Sequence, residues 1–164
     1  MHVPEHTGRA LLFVATLLLA SCGWRLQGSA RLPELLATAY VETKDPYTDF
    51  DRALRASLIA AGATLVDDPA LATAVVRILS DVSGQRVLSV SARNTPEEFQ
   101  VFYSVEYSVM SEGSELIAPD RIEMTRDYSY DERAVLAKQR EQAVLREALA
   151  RDVAAMIVRR LATL

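Results

Sequence analysis

The sequence predicts an α/β fold: a two-layer sandwich, mainly a four-stranded sheet with two helices packed on one face. Three observations carry that expectation. Phe99, Val101, Tyr103, Val105, Tyr107 and Val109 recur at strict period two, with Gln100, Ser104, Glu106 and Ser108 between them, so one face of a long strand is core. Phe50, Leu54 and Leu58 fall on one helical stripe, and Leu145, Leu149, Val153, Met156 and Ile157 on another, with Arg146, Glu147, Arg151 and Arg159 off it. The order strand, helix, strands, helix gives each amphipathic helix a sheet face to cover. With both helices on one side, the other sheet face is left free for a partner.

The first segment stands apart from that sandwich. Residues 10–20 read ALLFVATLLLA, an uncharged apolar run that would be about 16 Å long as a helix, whereas a bilayer core needs about 20 apolar residues. The run fits the h-region of a secretory signal peptide. Leu19-Ala20-Ser21-Cys22 follows it, and a signal peptidase cleft admits only small side chains next to the cut. This order resembles the lipobox of bacterial lipoproteins, which implies cleavage before Cys22, a diacylglycerol on its thiol and a further acyl chain on the new amino group. Three chains, at about 0.8 kcal/mol per buried methylene, anchor a protein far more firmly than one. Gly23, where an Asp would favour the inner membrane, implies the outer membrane. The chain therefore divides into residues 1–21, a cleaved signal peptide; 22–33, a lipidated anchor and short linker; and 34–164, a single domain.

In that domain, residues 39–43 read as a short strand ended by Lys44-Asp45-Pro46. Thr48 and Asp51 form a capping pair for the first helix, and Gly62 suits its stop. Residues 64–66 are a brief strand broken by Asp67-Asp68-Pro69. Four strands follow, at residues 75–82, 86–92, 99–110 and 121–128, as consecutive antiparallel hairpins with turns at Asn94-Thr95-Pro96 and Glu112-Gly113-Ser114. The last helix ends near Leu161, and Asp131 caps a short first turn that bends near Lys138.

Composition excludes several functions. Of 164 residues, 18 are Lys or Arg and 22 Asp or Glu, and the net charge of −4 provides no basic field to hold nucleic acid; losing Glu5 and Arg9 with the signal leaves it unchanged. His2, His6 and Cys22 all lie in the first 22 residues. The domain thus lacks the imidazole of a Ser-His-Asp or Cys-His site and the ligands of structural zinc. Gly23 and Gly28 have phosphate-loop spacing, but Ser29 stands where the lysine belongs. Asp67-Asp68 and Glu97-Glu98 lie beside prolines and read as solvated turns rather than catalytic or calcium-binding carboxylates. No enzyme, and no cofactor beyond the covalent lipid on Cys22, is expected.

Several short motifs fall in a consistent order behind the lipobox: Cys22-Gly23-Trp24-Arg25-Leu26, Asp51-Arg52-Ala53-Leu54-Arg55, Arg93-Asn94 leading into Glu98-Phe99-Gln100, Arg126-x-Tyr128, and Val135-Leu136-Ala137-Lys138 with Glu141-Gln142. In these the chain resembles the LptE family, the lipoprotein partners of the LptD β-barrel in outer-membrane lipopolysaccharide insertion. The resemblance implies a domain lodged in the barrel lumen as a plug and assembly factor, and extends to direct contact with lipopolysaccharide. Arg93, in a turn, and Lys138, one of only two lysines, carry over as candidate contacts to its phosphates, though both also suit solvated surface cations. Trp24 and Arg25 are weaker candidates for partner contact, and a Trp also suits a membrane interface. Tyr103 and Tyr107 read as core. The competing function is a lipid-handling envelope lipoprotein without a barrel partner.

Overall fold

The computed structural model describes residues 31–164. Strand β1 (Thr38–Glu42) buries Ala39 and Val41 on alternate positions. Helix α1 (Asp49–Ala60) starts where the Thr48 hydroxyl accepts the Asp51 N–H at 3.0 Å, and Asp49 and Asp51 place negative charge on the positive end of the helix. Phe50, Leu54 and Leu58 are all fully buried. The helix stops as expected at Gly62 (φ +99°), with the Ala63 N–H donating to the Leu58 carbonyl at 3.0 Å. Thr48→Ala should cost about 1 kcal/mol and lower Tm by roughly 3 °C in a thermal melt.

The remaining elements are β2 (Thr64–Leu65), β3 (Ala74–Val90), β4 (Pro96–Ser111), β5 (Ser114–Ser129) and helix α2 (Val135–Leu161). They build a five-stranded sheet in the order β2-β1-β3-β4-β5, parallel across β2, β1 and β3 and antiparallel beyond. The four-stranded expectation is therefore corrected: the two-residue β2 pairs on the outer edge of β1. The strands expected at 75–82 and 86–92 are one strand with no hairpin between them. Gly84 lies under the Phe102 ring of the neighbouring strand, where an added Cβ would stand 2.8 Å from the ring, so the glycine marks a close approach rather than a turn. Strand β5 begins at Ser114 rather than at 121, because a bulged edge strand tolerates Pro119. Glu97 and Glu98 belong to β4 instead of a turn. Asp68 caps the short 3-10 turn Pro69–Leu71. Before α2, Asp131 caps the 3-10 turn Glu132–Ala134, as expected, but the chain breaks at Ala134 (φ −122°, ψ 33°) and not near Lys138.

Both helices lie on one face. Phe50 of α1 meets Tyr103 of β4 at 6.3 Å between ring centroids, Arg146 of α2 reaches Asp49 of α1 at 3.0 Å, and Arg126 of β5 reaches Asp152 of α2 at 2.6 Å. The single core joins the inner side chains of β3 and β4 to Leu149, Val153, Ile157 and Leu161 of α2. Each fully buried aliphatic side chain contributes about 1.5–3 kcal/mol, so the C-terminal half of α2 holds the layers together. Among the described residues, the opposite sheet face carries no helix.

Candidate functional site

The long strands carry the β3–β4 hairpin well past the part of the sheet covered by α1. At its tip the Ser91 N–H donates to the Thr95 carbonyl at 2.8 Å, the Ser91 hydroxyl accepts the N–H groups of Arg93 and Thr95, and Asn94 adopts the left-handed conformation (φ 61°). This pinned turn projects an exposed Arg93 that makes no ion pair among the described residues.

Lys138 stands at the same end of the molecule, because β5 runs back alongside the hairpin and delivers the chain into α2. It is not a freely solvated cation. Its side chain is only 19% exposed, its Nζ donates to Glu141 at 2.8 Å, and it sits 6.0 Å from the Tyr128 ring centroid. Tyr128 donates its hydroxyl to Gln85 Oε1 at 2.9 Å, stacks on Phe99 at 5.8 Å, and Phe99 meets Tyr130 edge-on at 5.3 Å. Burial, then the Glu141 carboxylate, pushes the Tyr128 phenol up, and Lys138 opposes them.

The same end of the molecule carries exposed aliphatic side chains: Val87 (48%), which pairs opposite Phe99, Leu88 (45%) and Val90 (51%) on the hairpin, and Leu136 (73%) in the first turn of α2. An apolar surface flanked by two cations suits an amphiphile with an acidic head group. The cluster of Phe99, Tyr128 and Tyr130 was missed in the sequence. Only the cross-strand register, which sets Phe99 opposite Tyr128, brings it together.

The helix-free sheet face is polar and largely satisfied within itself. Gln100 accepts from Arg86 at 2.7 Å and donates to Asp127 at 2.8 Å, Arg77 reaches Glu42 at 2.7 Å, and Arg121 reaches the Ser104 hydroxyl at 2.8 Å. Tyr103 and Tyr107 are core, as expected, and burial is the first cause raising both phenols. Among the described residues there is no group of three metal-ligating side chains, and no helix long and apolar enough to cross a membrane. Cys22, Trp24 and Arg25 lie outside the described residues.

Comparison with known proteins gives the same family that the motifs suggested. The family described as LptE, lipopolysaccharide-assembly, matches residues 36–161. The chain belongs to the LptE family. It is 32% identical over 152 residues to the LPS-assembly lipoprotein LptE of Yersinia enterocolitica, covering 92% of this chain and 73% of that protein. It is 29% identical over 160 residues to the protein of that name from Pectobacterium atrosepticum, covering 94% and 84%. The crystal structure of the rare lipoprotein B of Shewanella oneidensis shares the fold at TM-score 0.68 and 28% identity, covering 77% of this chain and 94% of that one. The solution structure of a lipoprotein B from Nitrosomonas europaea shares the fold alone, at TM-score 0.71 and 23% identity over 86% and 91%. LptE membership makes this an envelope lipoprotein of lipopolysaccharide assembly and not an enzyme.

Proposed function

We propose that this lipoprotein plugs the lumen of an LptD-like barrel in the outer membrane, assists the barrel's assembly, and contacts lipopolysaccharide through Arg93 and Lys138. The observation that carries the plug is the pairing of a helix-free, internally satisfied polar sheet face with an amphipathic hairpin end, since a barrel interior is itself polar. The dimensions agree: strands of 16 and 17 residues reach about 50–55 Å, comparable to a whole bilayer of about 40–45 Å. Residue 38 stands at the end of the sheet opposite the hairpin tip, so an anchor at Cys22 would hold one end near the inner leaflet and direct Arg93 away from it. Affinity purification from the native outer membrane tests the reading. A stoichiometric large β-barrel is expected, whereas bound lipid without a barrel would favour a lipid-handling lipoprotein instead.

The anchor itself gives a simple test. Cys22→Ala is expected to leave an unprocessed precursor that incorporates no labelled palmitate, and equal labelling of variant and wild type would refute the lipobox reading.

The proposed ligand contacts give another. Arg93→Asp or Lys138→Asp should weaken lipopolysaccharide binding by the purified protein at least tenfold and by more than the neutral Gln variants, because repulsion adds to a lost charge-assisted bond worth roughly 1.5–3 kcal/mol. Lys138→Asp also sets a second carboxylate beside Glu141, so circular dichroism must confirm an intact helix. Wild-type binding should fall as salt rises. Unaltered binding by both folded charge-reversal variants would leave Arg93 as a solvated surface cation and Lys138 as the internal partner of Glu141.

A further inference from the structure

Strand β1 pairs with β3 only from Ala39–Ala74 to Glu42–Arg77, so beyond Arg77 the long β3 is paired by β4 alone. The first residues past that point, Ile78 to Asp81, lie behind the β1–α1 connection with Thr43, Lys44 and Asp45. From Val82 to Val90 the strand stands clear, and all of its residues but Gly84 and Ser89 are exposed. Among the described residues, no backbone N–H or C=O of this stretch bonds to other backbone outside the β3–β4 ladder.

Alternate residues of a strand turn their N–H and C=O to opposite flanks, so every second residue here offers a donor and an acceptor to the open side. Such an edge is a template for another chain, and proteins guard against it with charge, proline and bulges. The other edge of the sheet, β5, carries all three: Pro119 with a bulge beside it, and Asp120, Arg121, Glu123, Arg126 and Asp127 along its length. The β3 edge, residues 82–90, reads VSGQRVLSV. It has no proline and one charge, Arg86, whose side chain lies across the sheet on Gln100 at 2.7 Å. Its bulges stand at the ends, between Ile78 and Ser80 and after Val87, so Ser80 to Val87 keep an unbroken register against Glu106 to Phe99. A straight, almost uncharged, unguarded edge suits one kind of ligand, an extended peptide added as a further strand.

We propose that the Val82–Val87 edge of β3 accepts an extended segment of the barrel partner by strand addition, main chain to main chain. The inference rests on the plug reading and locates one attachment for it. A lumen filled by one domain leaves no room for a second copy, so inside the barrel the added strand belongs to the partner. The wall strands of a closed barrel are hydrogen-bonded on both flanks, so the segment is one that leaves the wall and enters the lumen. Val82, opposite Ser104 on the helix-free face, and Val87, opposite Phe99 on the inner face, give the added strand an apolar neighbour on each side of the sheet.

The test compares amide hydrogen exchange, residue by residue, in the full lipoprotein alone and in its complex with the barrel from the outer membrane. In the free protein every second amide between Val82 and Val87 should exchange like that of an open chain. In the complex those amides should slow by about a hundredfold or more, while the outward amides of β5 stay fast. Unchanged exchange at Val82–Val87 in an intact complex overturns the proposal. So does equal slowing on both edges, which would report enclosure alone, and so does slowing already present in the free protein, which would report self-pairing. A photoreactive residue at the exposed Ser83 then identifies the added strand. The cross-linked peptide should lie between wall strands of the barrel, and a peptide from within a wall strand contradicts the proposal. If no barrel accompanies the wild-type protein at all, the plug reading itself fails, and the attachment falls with it.

Discussion

Val105→Asp should abolish the cooperative unfolding transition of the domain. Val105 sits fully buried in the middle of β4, between Asp81 of β3 and Ile122 of β5. A carboxylate there would lose its water without gaining a partner, at an effective cost of several kcal/mol. It would also stand directly across from Asp81, and like charges opposite one another on adjacent strands are destabilising. A domain of this size has only about 5–15 kcal/mol in total, so the combined loss takes most or all of it. Leu149→Ala, which removes a fully buried side chain without adding charge, should cost about 2–5 kcal/mol and keep a cooperative melt. Thermal circular dichroism of both variants checks the pair. A cooperative Val105→Asp melt within a few degrees of wild type would contradict the placement of the core.

Depletion of the lipoprotein should lower the amount of folded barrel several-fold. A plug that binds only the folded barrel stabilises it by mass action, by about 2.7 kcal/mol when present at one hundred times its dissociation constant. Removing it returns the barrel to its own marginal stability and to degradation. The folded barrel is followed by its heat-modifiable mobility in gels of outer-membrane fractions. The lipidated Val105→Asp variant should behave like depletion, because an unfolded domain cannot fill a lumen. Unchanged barrel levels with intact surface lipopolysaccharide would contradict the assembly role.

The parts of the fold written in local chemistry were legible before any coordinates. Thr48 and Gly62 bracket α1 because a cap and a left-handed stop act within a few residues. The alternation from Phe99 to Val109 fixed the inner face of β4 because side-chain direction along a strand has period two. What escaped depends on distant partners. The brief strand expected at residues 64–66 is there as Thr64–Leu65, but its place on the outer edge of β1 was not legible, because that pairing is set by the fold and not by its own residues. The stretch from 75 to 92 read as two strands, whereas it is one, and the reason for Gly84 in its middle is the Phe102 ring on the next strand.

The same distinction holds for the site. Arg93 and Lys138 were named from motifs, and the structure sets them at one end of the sheet. The aromatic cluster beside Lys138, the Lys138–Glu141 pair and the open edge of β3 all arise from register, strand pairing or helix placement that no single segment encodes.

The central claim, that a barrel surrounds the domain, is tested most directly by photo-crosslinking from several sides of it in living cells. A photoreactive residue is placed in turn at Leu88 on the hairpin, Glu106 on the helix-free sheet face and Val144 on the outer surface of α2. A plug predicts cross-links to the same barrel from all three positions. Cross-links confined to one of them, with the other two silent or captured by unrelated proteins, would mean that the domain docks on a surface and does not fill a lumen.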